Sequence, residues 1–203
     1  MEVFRSRAVD YDRWYAAHPA LYRSELDAVS RFDCRGGVEV GVGTGRFAAP
    51  LGVRVGVDPV REMLKLAPGA LELVEAVGEA LPLRDKSLPC ALLVVTLCFV
   101  DNPRAVLREA ARVAERVVAC IVPRESPWGR LYVEMGAAGH PFYSRARFYT
   151  LGEVVEMAGG LRPARVVATL LRPPGGPETE EEAREVSLAE AERAGFACVE
   201  FRP

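Results

Sequence analysis

Between residues 37 and 123, short apolar runs alternate with amphipathic ones, and this alternation constrains the fold more than any other feature of the chain. The apolar runs are Gly37–Val40, Val53–Asp58, Leu71–Val77, the stretch "PCALLVVT" from Pro89, and Arg116–Val122. Several are apolar at consecutive positions, so both faces of the strand need cover. That is the pattern of a parallel sheet with helices on each side. The segment "NPRAVLREAARVA" supplies such a helix, with Pro103 near its start and Val106, Leu107, Ala110 and Val113 on one face. "RFAAP", at 46–50, reads as a helix of little more than one turn. "PVREMLKLA" reads as another, with Pro59 suited to a first helical position.

On either side the pattern loosens. Residues 10–30 read as one or two amphipathic helices broken at His18-Pro19. After 123, "SPWGRLYVEMGAA" and "TLGEVVEMAGG" read as helices, and Ala164–Leu171 and Phe196–Phe201 as strands. The Pro/Gly-rich and then acidic stretch between those strands reads as solvated surface. The expectation is an α/β, doubly wound, mostly parallel seven-stranded sheet with an N-terminal helical cap. It forms a single domain, with the cap at 1–30, a ligand-binding core at 37–123, and substrate-side helices with the last two strands at 124–203.

The formal net charge of −2 gives no general affinity for nucleic acid or anionic membrane. The longest apolar run, Cys90–Val100, is too short to span a bilayer, and the charged N-terminus lacks the apolar core of a signal peptide. A cytoplasmic protein is expected. Five cysteines, none in a CxxC pair, offer no zinc or disulfide spacing and read as free, small apolar packers. Of 26 Lys and Arg residues only Lys65 and Lys86 are lysine, and Asn102 is the single amide residue. Scarce amides fit a thermophile.

The stretch "VEVGVGTGRF" carries the chemistry. Glu39 lies within the first apolar run, and Gly41, Gly43 and Gly45 follow at alternate positions. A glycine turn after the first strand lies at the carboxyl edge of an open sheet, where such sheets bind ligands. A dinucleotide fingerprint needs G-x-G-x-x-G/A, and the sixth position here is Arg46. Glu39 also suits an anionic pyrophosphate poorly. An acid beside the turn suits a ligand with a cationic group, and S-adenosylmethionine (AdoMet) carries an ammonium and a sulfonium. Asp58, ending "GVD", is placed to accept from ribose hydroxyls.

"VEVGVGTGRF", "VGVDPVREML" and "GEALPLRDKSLPCALLVVTLCFVDNPRAVLREAARV" together resemble the class I AdoMet-dependent methyltransferases, most closely the ubiquinone/menaquinone-biosynthesis type. The resemblance implies a Rossmann-like methyltransferase fold and an AdoMet site. That site takes Glu39, Gly41, Gly43, Thr44, Gly45, Asp58, Pro59 and Met63 from the first two strand ends. It takes Gly78, Glu79 and Ala80 from the loop after the third strand, and Thr96, Leu97 and Cys98 after the fourth. Val77 stands where the family has an Asp that contacts adenine, leaving the backbone at Gly78 or Glu79 for that contact. "YDRW" resembles the family's helical cap, which makes Tyr11 and Trp14 candidates for closing the site.

Candidate pocket residues beyond these are Arg124, His140, Tyr143 and Phe148. His18 and His140 both precede proline and read first as loop histidines. "DNP" at Asp101–Pro103 reads as a helix cap. The expected activity is methyl transfer from AdoMet to a small molecule, without metal. A non-catalytic AdoMet-binding module and an RNA methyltransferase remain the alternatives, and the oligomeric state is open.

Overall fold

The computed structural model describes residues 2–202. Eight strands form one sheet: β1 (Val38–Val40), β2 (Val55–Asp58), β3 (Glu72–Glu75), β4 (Ala91–Val94), β5 (Val117–Ile121), β6 (Arg162–Thr169), β7 (Arg184–Glu185) and β8 (Phe196–Arg202). Their order is β3-β2-β1-β4-β5-β8-β6-β7. Strands β1 to β5 run parallel, and β8 enters antiparallel beside β5. The chain reverses its winding between β1 and β4, so a crevice opens at their carboxyl ends.

The strands sort their side chains as a doubly covered sheet requires. Ala91 and Leu93 of β4 join Val117, Ala119 and Ile121 of β5 in one core, under α5 (Pro103–Val113) and α7 (Leu151–Met157). Leu92 and Val94 join Val118 and Cys120 in the opposite core, against Leu21, Ala28 and Val29 of α3 (Pro19–Ser30). Asn102 caps α5, its side-chain oxygen accepting from the Ala105 N–H at 3.1 Å, and Pro103 fills the first turn. The helix break at His18-Pro19 separates α2 (Ala8–Ala17) from α3. A short α1 (Glu2–Ser6) precedes them, α4 is Arg61–Leu64, α6 is Pro127–Ala137 and α8 is Leu188–Ala191.

Four local expectations need correction. "RFAAP" forms successive turns and no helix, because Pro50 ends it before an α-helical ladder is established. Helix α4 begins at Arg61 behind Val60, so Pro59 lies outside its first turn. The sheet has an eighth strand, β7, a two-residue edge pair against β6. The cysteines are not all free: Cys34 is bonded to Cys90 and Cys120 to Cys198, leaving Cys98 as the thiol. Cys120 and Cys198 face each other across the β5–β8 register, a relation that spacing along the chain does not reveal.

The acidic side chains are largely exposed, as expected, but the stretch is not free. It is strapped along α3. Ser24 Oγ accepts from the Glu181 N–H and an Asp27 carboxylate oxygen accepts from the Ala183 N–H, both at 2.8 Å. Arg23 pairs with Glu180, and Arg31 with Glu182. The outer face of α3 is thereby fixed, and the same helix turns Glu25 inward.

Candidate active site

Three strand ends converge at the crevice. Glu39 of β1 is 2 % exposed, and its Oε2 is buried without a hydrogen-bond partner. Burial pushes its carboxyl well above the usual range, opposed in part by the Ala48 N–H and reinforced by the charge of Asp58. Asp58, at the end of β2, is held by two backbone donors. Its Oδ2 accepts from the Gly43 N–H at 2.9 Å and its Oδ1 from the Val60 N–H at 2.8 Å. Burial nonetheless leaves its pKa raised. Thr96, after β4, donates its hydroxyl to the Val40 carbonyl at 2.9 Å and so locks the third strand end to the first.

Two glycines of the turn are demanded for different reasons. Gly41 has φ +75°, and a Cβ there would collide with the Thr96 side chain. Its bareness serves internal packing. Gly43 has φ +54°, and the one atom near an added Cβ is Met63 Cε at 3.2 Å. Beyond that contact Gly43 faces open space, a cavity of about 190 Å³.

Glu39, Gly41, Gly43, Thr44, Asp58, Pro59, Met63, Gly78, Glu79 and Thr96 all line this cavity, with Val77 completing its wall. Gly45, Ala80, Leu97 and Cys98 do not. Gly45 packs toward Pro68 and Leu71, and Leu97 is 1 % exposed in the core. The Ala80 N–H closes a turn on the Val77 carbonyl. Cys98 opens onto a second, larger chamber of about 400 Å³.

That chamber gathers Tyr11, Trp14, His140, Tyr143 and Phe148 from the expected pocket residues. Tyr143 stacks between Tyr132, at 4.4 Å, and His140, at 4.2 Å between centroids. Arg124 stands apart from both cavities and pairs with Glu125 and Glu153. The Cys98 thiol is pushed up to about 12 by burial and so stays protonated. Sequence reasoning missed Glu25, Tyr15, Phe99, Tyr132 and Phe142 in the chamber, and Phe4 on the first cavity. The aromatic spacing of "VFRSRAVDYDRWY" was the available signal for Phe4 and Tyr15.

The two cavities share Tyr11, Tyr15, Val95 and Phe99. Val95 sits at φ +51°, a left-handed conformation that β-branched residues rarely adopt. Its N–H is held by the Cys120 carbonyl at 2.9 Å. Strain of this kind persists where the surroundings over-determine it, often at a functional site. The cap is fastened here as well. Asp12 of α2 accepts from Thr44 Oγ1 at 2.7 Å and from the Arg46 guanidinium, and that pairing lowers its pKa.

The geometry agrees with what relatives show. Residues 38–121 match the family model of the methyltransferase domain. An uncharacterized protein of Methanocaldococcus jannaschii is 37% identical over 174 residues, 83% of this chain and 84% of that one. A SAM-dependent methyltransferase from Thermotoga maritima, described as a possible histamine N-methyltransferase, superposes with a TM-score of 0.90 at 34% identity, covering 99% of this chain and 98% of that one. The magnesium protoporphyrin IX methyltransferase of Synechocystis, solved with bound SAH, shares the fold at 14% identity and TM-score 0.69, over 100% and 97% of the two chains. The chain belongs to the class I SAM-dependent methyltransferases, and S-adenosylmethionine is its cofactor. No helix among the described residues is long and apolar enough to cross a membrane.

Proposed function

We propose that the enzyme methylates a small molecule held in the aromatic chamber, with the cofactor in the neighbouring cavity. The observation that carries this reading is the shared wall: two contiguous cavities meet at Val95 and Phe99, just after β4. The residues fit the cofactor. The unpartnered Glu39 oxygen suits its ammonium group, Asp58 its ribose, and Gly43, Met63, Gly78 and Glu79 the remaining walls. When bound, AdoMet supplies a methyl group already activated by the sulfonium. The chain's task is then to orient the acceptor and exclude water. Tyr11, Tyr15 and Phe99 do both, since each belongs to the two cavities at once.

In this reading residues 1–30 are the cap, 37–123 the cofactor core and 124–203 the substrate side of one domain. The resemblance to the ubiquinone/menaquinone-biosynthesis type and the description of the Thermotoga protein both support a small acceptor. The net charge of −2 supports it over RNA and fits a cytoplasmic enzyme. A chamber of this size argues against a non-catalytic module with a blocked acceptor site. The test is a methylation screen of pooled metabolites beside filter binding of tRNA at two salt concentrations. Methyl incorporation into a small metabolite is expected. Salt-sensitive tRNA binding with methylated RNA would overturn the proposal.

A further inference from the structure

The aromatic chamber contains one ionisable group with nothing to answer it. Glu25 is 7 % exposed and lines the chamber. Among the described residues its carboxyl accepts no hydrogen bond and meets no cation. The other charged groups at the chamber have partners. Asp10 pairs with Arg13 at 3.7 Å, and His18 with Glu178. His140 Nδ1 accepts from the Tyr143 N–H at 3.3 Å, and the Cys98 thiol donates to the Val95 carbonyl at 3.1 Å. The Tyr11 and Tyr15 hydroxyls bond each other at 3.1 Å.

A buried carboxylate without a partner is costly, and proteins keep such groups where something pairs with them. The walls around Glu25 narrow what that partner is. Tyr11, Trp14, Tyr132, Tyr143 and Phe148 present ring faces and edges, and aromatic walls of this kind attract organic cations. An anionic acceptor would meet a buried acid with no fixed positive charge inside to offset it: Arg13 lies at the exposed mouth paired with Asp10, His18 pairs with Glu178, and burial holds the His140 imidazole toward its neutral form. A neutral hydroxyl offers the carboxyl a hydrogen bond but no countercharge.

We infer that the acceptor is a small amine with an apolar or aromatic body, bound as its cation against Glu25 within the aromatic walls. This rests on the chamber being the acceptor site of the methyltransferase. Burial alone pushes the empty-site carboxyl of Glu25 up to about 8. An arriving ammonium supplies the missing charge and draws it back toward the ionised form. The pair R–NH3+ and Glu25 carboxylate is then poised to become R–NH2 and Glu25 carboxylic acid by transfer of one proton. The amine lone pair needed for methylation is thereby freed.

The test is calorimetry on protein saturated with S-adenosylhomocysteine, using 2-phenylethylamine, 2-phenylethanol and 3-phenylpropanoate as probes. The amine is expected to bind at least about tenfold tighter than the alcohol, and the carboxylate weakest. In Glu25→Gln the amine should fall to the level of the alcohol, whose own affinity stays unchanged. Equal affinity for amine and alcohol in the unmutated protein, equal loss of both in Glu25→Gln, or no binding of any probe would overturn the inference. The preceding S-adenosylhomocysteine titration separates the two levels. If that ligand does not bind, the methyltransferase reading fails. If it binds and the amine shows no preference, only the amine inference fails.

Discussion

The two cavities are built on opposite plans. The one at the glycine turn is built around backbone and acids contributed by the ends of β1, β2 and β4, and its two strand acids, Glu39 and Asp58, are fixed by strand register. The aromatic chamber is made mostly of rings from α2, α6 and the 140–148 segment, with Glu25 from α3, elements that hold no place in the sheet. If the first holds the cofactor and the second the acceptor, as proposed, the difference teaches where two such sites come from. The first is written into the sheet edge. The second is assembled by helices and loops that can change without disturbing that edge.

The comparison breaks most visibly at Gly43. Gly43→Val places a branched side chain at φ +54° facing the cofactor cavity, and S-adenosylhomocysteine affinity should fall by at least about 100-fold, ~2.7 kcal/mol. Calorimetry measures this, and circular dichroism checks that the fold persists. Unchanged affinity would remove Gly43 from the cofactor wall.

Asp58→Ala should weaken the same ligand by about 1.5–3 kcal/mol, the range for hydrogen bonds to a charged group. Because Asp58 also accepts from the Gly43 and Val60 N–H groups, the variant should lower Tm as well. An analogue lacking both ribose hydroxyls should lose much less on mutation. Equal losses for both ligands would show that Asp58 acts only through the turn.

A smaller effect is expected at the fastening of the cap. Asp12 and Arg46 are each about one-third exposed, so solvent discounts their pairing, and Asp12→Ala should cost S-adenosylhomocysteine binding about 1 kcal/mol. Limited proteolysis of α2 should quicken in the same variant. A cap as resistant as before would mean that its aromatic contacts suffice.

The last test concerns pH and stability in place of ligand affinity, and it sharpens the chamber's side of the comparison. A carboxyl whose folded pKa stands near 8 binds a proton that the unfolded chain releases near 4.3. Its contribution is therefore fully present below pH 4 and is lost as pH rises through 8. Glu39 and Asp58, raised by burial, slope the same way, and His140, lowered by burial, slopes the opposite way at lower pH. The difference between unmutated protein and Glu25→Gln isolates Glu25. Thermal melts from pH 5 to 9 should show a steeper decline with Glu25 present. Parallel curves would mean that water already serves this carboxyl.

The same contrast explains what could be read without a structure. Glu39, the alternating glycines and Asp58 sit within one short stretch and the strand that follows, and each residue type is chemically unusual where it stands. Sequence order was therefore enough to expect these residues together, and the structure gathers them at one cavity. Glu25 is one acid among the charges of an amphipathic helix, and nothing local tells an inward acid from a solvated one. Tyr132 and Phe142 look like ordinary core aromatics until α6 and the 140–148 segment are brought over α2. Strand β7 is an Arg-Glu pair with no apolar pattern, visible only through its pairing with Val167 and Ala168. The cysteine pairs needed the third dimension for the same reason.

Tyr11, Tyr15, Val95 and Phe99 face both cavities, and this common wall has a thermodynamic consequence. Two ligands that order the same four residues cannot bind independently. Whatever factor the cofactor adds to acceptor affinity, the acceptor must add to cofactor affinity. The demethylated cofactor left after each turnover would hold that wall in place for the next acceptor, so product inhibition should take the form of a dead-end complex. Its depth would be tuned by Tyr11 and Tyr15, the rings that α2 contributes to that wall.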